Sequence, residues 1–239
     1  MNKTLSLSAI LTLVCAGAAS AGVDLGWDDC LAGGVGGGGG TTTKSVSCTN
    51  SALSSPVLYM SFTVPAEVPK LGATDDRIII VSPNTLGSWW LSGTNRFAAG
   101  LGPSTCPGWY DATIHGGVLF GPNIVQANAT KLDIRTVISV ATGEEPDALP
   151  GSEFLTHTLT IKFSATAPAT FNNAECLAGA AIGAANLELQ QPGALLPTEL
   201  HQIPDVSNCV LWRSPTGLIC PAATPTRKET WGAIKALYR

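Results

Sequence analysis

Glycine and proline set the first limit on this chain: 26 glycines and 16 prolines are spread through its 239 residues. Inside a helix each glycine costs about 1 kcal/mol and each proline about 3 kcal/mol relative to alanine. A helical bundle or coiled coil is therefore excluded, and what survives between the breakers are short runs with the period of two that marks strands. Leu58, Met60, Phe62 and Val64 alternate with Tyr59, Ser61 and Thr63. Leu132, Ile134, Ile138 and Val140 alternate with Asp133, Arg135 and Ser139. Leu155, His157, Leu159, Ile161 and Phe163 line one face of a third run, with Thr156, Thr158, Thr160 and Lys162 opposite. Arg77 to Val81 is shorter and, after Arg77, apolar, which predicts a strand covered on both faces. Ala180 to Leu189 and Cys209 to Trp212 are weaker strand candidates. Turn residues separate these runs at Ser82-Pro83-Asn84, Gly121-Pro122-Asn123, Glu144 to Gly151 and Gln191-Pro192-Gly193. The pattern predicts an all-β fold, an antiparallel β-sandwich of jelly-roll or immunoglobulin-like kind.

The first 21 residues read as a signal peptide. Lys3 gives a positive start, Leu5 to Ala18 form an uncharged apolar stretch, and Ala19-Ser20-Ala21 supplies small residues for cleavage before Gly22. The apolar stretch is shorter than the roughly 20 residues a transmembrane helix needs, and Val14 stands before Cys15 where a lipoprotein signal needs a small residue. The expectation is export, to the periplasm, the cell surface or the medium, with no membrane span in the mature chain. Without Lys3, the mature chain has 12 basic against 17 acidic residues, a net charge of -5, so it carries no basic footprint for nucleic acid. Six cysteines remain after Cys15 is removed: Cys30, Cys48, Cys106, Cys176, Cys209 and Cys220. In an exported chain without a C-x-x-C pair they read as a disulfide framework rather than a zinc site. Many pairings are open. The close ones, Cys30 with Cys48 around the glycine run and Cys209 with Cys220 across a hairpin, are the suggestive choices.

Two segments stand apart from the expected sandwich of residues 22–220. Gly33 to Thr43 is a low-complexity run read as a surface loop; it has neither the strand before it nor the helix after it that a phosphate-binding loop needs. Residues 221–239 read as a Pro/Thr-rich linker and a basic tail. Residues 226–239 carry four basic side chains and one acidic, a charge of +3 beside a body of -8. Thr230 is placed to cap a short helix whose Trp231, Ile234, Leu237 and Tyr238 share a face. That helix serves either as a docking or sorting signal or as a cover for apolar surface.

Side chains with chemistry to offer are few. Asp24, Asp28 and Asp29 are the candidates for calcium, which takes several converging oxygens; without a D-x-D-x-D-G loop, capping and solvated turns compete with that reading. No other cofactor is expected. His115, His157 and His201 show no metal or triad spacing, and His157 falls on an apolar strand face, where a hydrogen-bonded core histidine is the commoner case. No catalytic residue is assigned. Trp89 and Trp90, with Trp109 and Tyr110, are the candidate binding aromatics, able to stack on a sugar or anchor a protein if presented outward and structural if they cap one end of the fold.

Asp24-Leu25-Gly26-Trp27-Asp28-Asp29-Cys30, the Trp89-Trp90 pair and the terminal Trp231-Gly232-Ala233-Ile234-Lys235-Ala236-Leu237-Tyr238-Arg239 together resemble a group of uncharacterised secreted proteins of environmental bacteria. Members have an L-x-W-D-D-C motif near the mature start and a W-G-x-[IV]-K-x-L-[YF]-R tail. The chain departs from that group at Cys176-Leu177-Ala178-Gly179-Ala180, where the group has a C-x-G-C pair. The resemblance implies export and a shared architecture, and no reaction. The functional expectation is a non-enzymatic binding or cell-surface interaction module, its partner a glycan or an envelope protein; the alternative is a secreted hydrolase or carbohydrate-active enzyme whose residues converge from separate strands. Intact-mass spectrometry of the exported protein checks the framework. The species is expected to begin at Gly22 and to gain the mass of six hydrogens on reduction, one pair for each disulfide the six cysteines can form.

Overall fold

A computed structural model describes residues 22–30, 39–46, 55–82, 85–87, 90–91, 96–109, 117–128, 130–162, 176–194, 198–200 and 209–213. It is built of strands in two sheets. One has four strands in the order β1 (Gly22–Trp27), β3 (Val57–Thr63), β8 (Glu153–Ile161) and β5 (Phe97–Gly100). The other runs β2 (Thr43–Lys44), β11 (Cys209–Trp212), β9 (Ala180–Gln190), β4 (Ala73–Val81), β7 (Lys131–Val140) and β6 (Gly117–Ala127), with β10 (Thr198–Leu200) also paired to β9. Among the described residues no helix is long and apolar enough to cross a membrane. Residues 221–239 of the expected linker and tail helix lie outside the described residues.

The two sheets share one core. Leu25, Leu58, Met60 and Phe62 from the four-stranded sheet meet Ile78, Ile80, Ile134, Ile182 and Leu187 from the other, all essentially inaccessible to solvent. Burying one such side chain is worth about 1.5–3 kcal/mol. Three indoles close one end. Trp212 takes Trp27 edge-on at 5.9 Å and Trp90 at 5.2 Å between ring centroids. Trp27 Nε1 donates to the Leu211 carbonyl at 3.1 Å and Trp212 Nε1 to the Cys176 carbonyl at 3.0 Å, so the rings bury their donors with partners in place.

Four expectations need correction. The sheets are not purely antiparallel, because β2 pairs with β11 in parallel. Gly121-Pro122-Asn123 is not a turn: it lies inside β6, where the pairing with β7 slips between Phe120 and Asn123. Gly121 has φ +114°, and a Cβ there would stand 2.8 Å from the Arg135 carbonyl oxygen, so the bulge needs glycine. The glycine run is not a free loop to its end. Gly40 donates to the Cys30 carbonyl at 2.9 Å, Thr41 bridges Trp27, and Thr43–Lys44 forms β2.

The fourth correction concerns β8. Met60 pairs with His157 but Ser61 with Leu155, leaving Thr156 as an extra residue. One extra residue moves everything beyond it to the opposite face. Leu155 is thus outside the shared core, packed against Cys30, Cys106 and Tyr59, while Phe154 turns inward to Phe62 at 5.6 Å. Replacing Trp212 by Ala removes the ring on which the other two lean and is expected to cost about 3–5 kcal/mol, read from the shift in a urea unfolding midpoint.

Candidate functional site

The aromatic candidates do not form a presented platform. Trp90 is buried in the indole cluster, held by its N–H to the Gly87 carbonyl at 3.0 Å. Trp109 is buried where its strand-like segment runs beside β8, with Leu155 N donating to the Pro107 carbonyl at 2.8 Å. Their apolar area is used in packing. Trp89 and Tyr110 lie outside the described residues, as do His115, His201, Trp231, Ile234, Leu237 and Tyr238.

The three aspartates do not converge on a cation. Asp24 sits on β1 opposite Ser61. Asp28, in the left-handed region at φ 69°, pairs with Lys44. Asp29 Oδ1 accepts from Cys30 N at 2.8 Å and Thr105 N at 2.9 Å. Burial pushes the Asp29 carboxyl up, but these backbone donors outweigh it and hold it below the ordinary carboxylate value. Asp29 is a clasp joining two loops.

That clasp lies beside a disulfide. Cys30 bonds to Cys106 across 76 residues of sequence, not to the nearer Cys48, and a loop of that length is worth about 4 kcal/mol on the chain-entropy estimate. It ties the segment after β5 over the outer face of the four-stranded sheet. The buried Glu153 carboxylate lies within 4.8 Å of both sulfurs and accepts from Ser61 Oγ at 2.5 Å. Cys30, Cys106 and Glu153 have the spacing of a three-ligand metal group, but both sulfurs are taken by the disulfide, and a metal needs free thiolates. Cys176 and Cys209 are also disulfide-bonded; Cys48 and Cys220 are outside the described residues.

The outer face of the larger sheet is organised differently, and no motif signalled it. Arg77 on β4 stands directly opposite Arg135 on β7, a like-charge pair that costs stability unless each cation is met by an anion. Both are met diagonally. Arg77 Nε donates to Asp133 Oδ1 at 3.1 Å and its Nη2 to Oδ2; Arg135 Nε donates to Asp75 Oδ1 at 2.8 Å and its Nη2 to Oδ2. The carboxylates lie beneath the cations: Asp133 is fully buried, while the Arg77 and Arg135 side chains are 42% and 51% exposed. Each guanidinium is fixed along its Nε–Nη2 edge while the side chain remains substantially exposed. Phe120, 54% exposed, pairs with Val137 in the row next to Arg135, and Val125 on the same edge strand is 53% exposed. The signal available in sequence was the alternation Asp75, Arg77 against Asp133, Arg135, whose meaning depends on a register that only the fold supplies.

No protein-family model, curated protein or solved structure matches the chain.

Arg77→Ala strands the buried Asp133 carboxylate, whose other cation, Lys131 Nζ, stands at 3.9 Å. The expected loss is about 3 kcal/mol, read by denaturant unfolding, whereas the double change Arg77→Ala with Asp133→Ala should lose less than Arg77→Ala alone.

Proposed function

We propose that this chain is an exported, disulfide-linked β-sandwich of jelly-roll or immunoglobulin-like kind that acts as a non-enzymatic binding module, and that it recognises an envelope protein through the outer face of its larger sheet. The observation that carries the reading is the pair of exposed guanidiniums, Arg77 and Arg135, each locked by a buried carboxylate beside the exposed Phe120 and Val125. Arginine and large aromatics are the residues that dominate protein interfaces, and fixing them before contact removes the side-chain entropy cost of about 0.5–1.5 kcal/mol each that binding otherwise carries. The signal peptide and the likeness to secreted proteins supply the cellular setting.

The test uses purified mature protein on a biosensor against detergent-solubilised envelope proteins and, separately, a glycan panel. Phe120→Ser with Val125→Ser removes exposed apolar area without entering the core. It is expected to weaken binding to the envelope fraction at least tenfold, with an unchanged unfolding midpoint. Binding that ignores these substitutions overturns the surface assignment. Release of product from a polysaccharide or ester substrate by the purified protein would replace the module reading with the hydrolase one.

A further inference from the structure

His157 lies between the two sheets with no exposure, and its Nδ1 is 3.2 Å from the equally buried Asp76 Oδ2. The tautomer follows from the neighbouring hydroxyl. Thr156 Oγ1, brought here by the β8 bulge, donates its only proton to the Met60 carbonyl at 2.7 Å. It therefore faces His157 Nδ1, at 3.2 Å, as an acceptor. Nδ1 must carry the hydrogen, with Thr156 Oγ1 and Asp76 Oδ2 each 3.2 Å away.

That assignment leaves an unusual set of atoms inside the core. His157 Nε2, both Asp76 carboxylate oxygens, Thr74 Oγ1 and Thr136 Oγ1 are buried and without a hydrogen-bond partner among the described residues. Thr74 and Asp76 are two apart on the inward face of β4, and Thr136 is the direct partner of Asp76 on β7. Buried polar atoms left bare forfeit the hydrogen bonds they made to water, and interiors ordinarily answer such clusters with an ordered water or a proton. One carboxylate, two hydroxyls and an imidazole are too few oxygens for calcium.

We propose that Asp76, His157, Thr74 and Thr136 form an internal proton-binding site, completed by ordered water, in which the Asp76–His157 pair holds one proton and latches the two sheets together. Burial drives the Asp76 carboxyl upward, an effect that His157 offsets in part and Asp75 reinforces. Among the described residues the other charged groups on the surrounding strands are Arg77, Lys131, Asp133, Arg135, Glu153 and Glu188; Arg77, Lys131, Asp133 and Arg135 pair on the outer face of the larger sheet, and Glu153 bonds Ser61 across the other. The sign follows. A group raised in the folded state holds its proton more tightly there, so its stabilisation is complete below the unfolded value of about 3.9 and is lost as pH rises through the folded value. The latch is closed in acid and weakened in base.

Melting temperature of the full mature chain, measured from pH 4 to pH 9, tests the site against Asp76→Asn, which keeps the shape and removes the titration. The native protein is expected to lose melting temperature relative to the variant as pH rises, by about 3–5 °C for each tenfold by which the folded chain holds the proton more tightly than the unfolded one. Parallel profiles overturn the proposal. If the variant does not fold, nitrogen-15 NMR of the imidazoles in the native chain decides. His157 protonated at Nδ1 throughout, with the Asp76 carboxyl titrating beside it, supports the site. An Nε2–H tautomer with a bare Nδ1 overturns it.

Discussion

Three tryptophans fix how far apart the sheets can stand. Trp27 ends β1 at one edge of the four-stranded sheet, and Trp212 ends β11 near one edge of the larger sheet. Their edge-on contact, with Trp90 on the other side, makes a rigid corner that smaller residues must accommodate. Ala180, paired directly with Trp212, is fully buried, and Ala181, Ile182 and Ala184 continue the same strand. At Gly40 a Cβ would come within 2.3 Å of the Asp29 carbonyl oxygen. The buried alanines of β9 are thus the complement of Trp212 in a close-packed interior, and Gly40 answers the close approach of the backbone at Asp29 and Cys30.

The β8 bulge ties together features that are otherwise unrelated. By adding Thr156 it turns Leu155 outward, where the leucine seats the disulfide-clipped segment. The same residue places a hydroxyl beside His157 and so settles which imidazole nitrogen carries the proton. A regular strand would have sent Leu155 inward and left the Cys30–Cys106 segment over a polar row. Both outer faces are then finished by different means: one is covered by chain held with a disulfide and the Asp29 clasp, the other carries the Arg77–Asp133 and Arg135–Asp75 ion pairs.

The legible parts of the sequence were those in which one residue decides one contact. Leu58, Met60 and Phe62 alternate in sequence and do so in β3; Ile134 and Ile138 do likewise in β7. The slip at Thr156 was invisible, because threonine fits either face and a bulge changes register without changing composition. Gly121-Pro122-Asn123 has the chemistry of a turn, and only pairing with β7 shows that it is a bulge. β1 carried a readable pattern in Val23, Leu25 and Trp27, diluted by Gly22, Asp24 and Gly26, which are poor strand formers. The disulfide was out of reach in principle: loop closure depends so weakly on length that Cys48 held little advantage over Cys106.

For recognition, the scarcity of charge matters as much as its placement. Only 13% of the residues are charged, and Arg77 and Arg135 are neutralised at contact distance by Asp133 and Asp75. Their field beyond a Debye length of about 8–10 Å is small, and the chain's net negative charge would not draw in an acidic partner from afar. On the proposed binding role, such a surface would select by fit once contact is made, through the fixed guanidiniums and the exposed Phe120, and not by electrostatic steering. The ion ladder is therefore best understood as a template. Buried carboxylates hold two cations in a set geometry, and the stability of the sheet and the shape of its exposed face rest on the same four side chains.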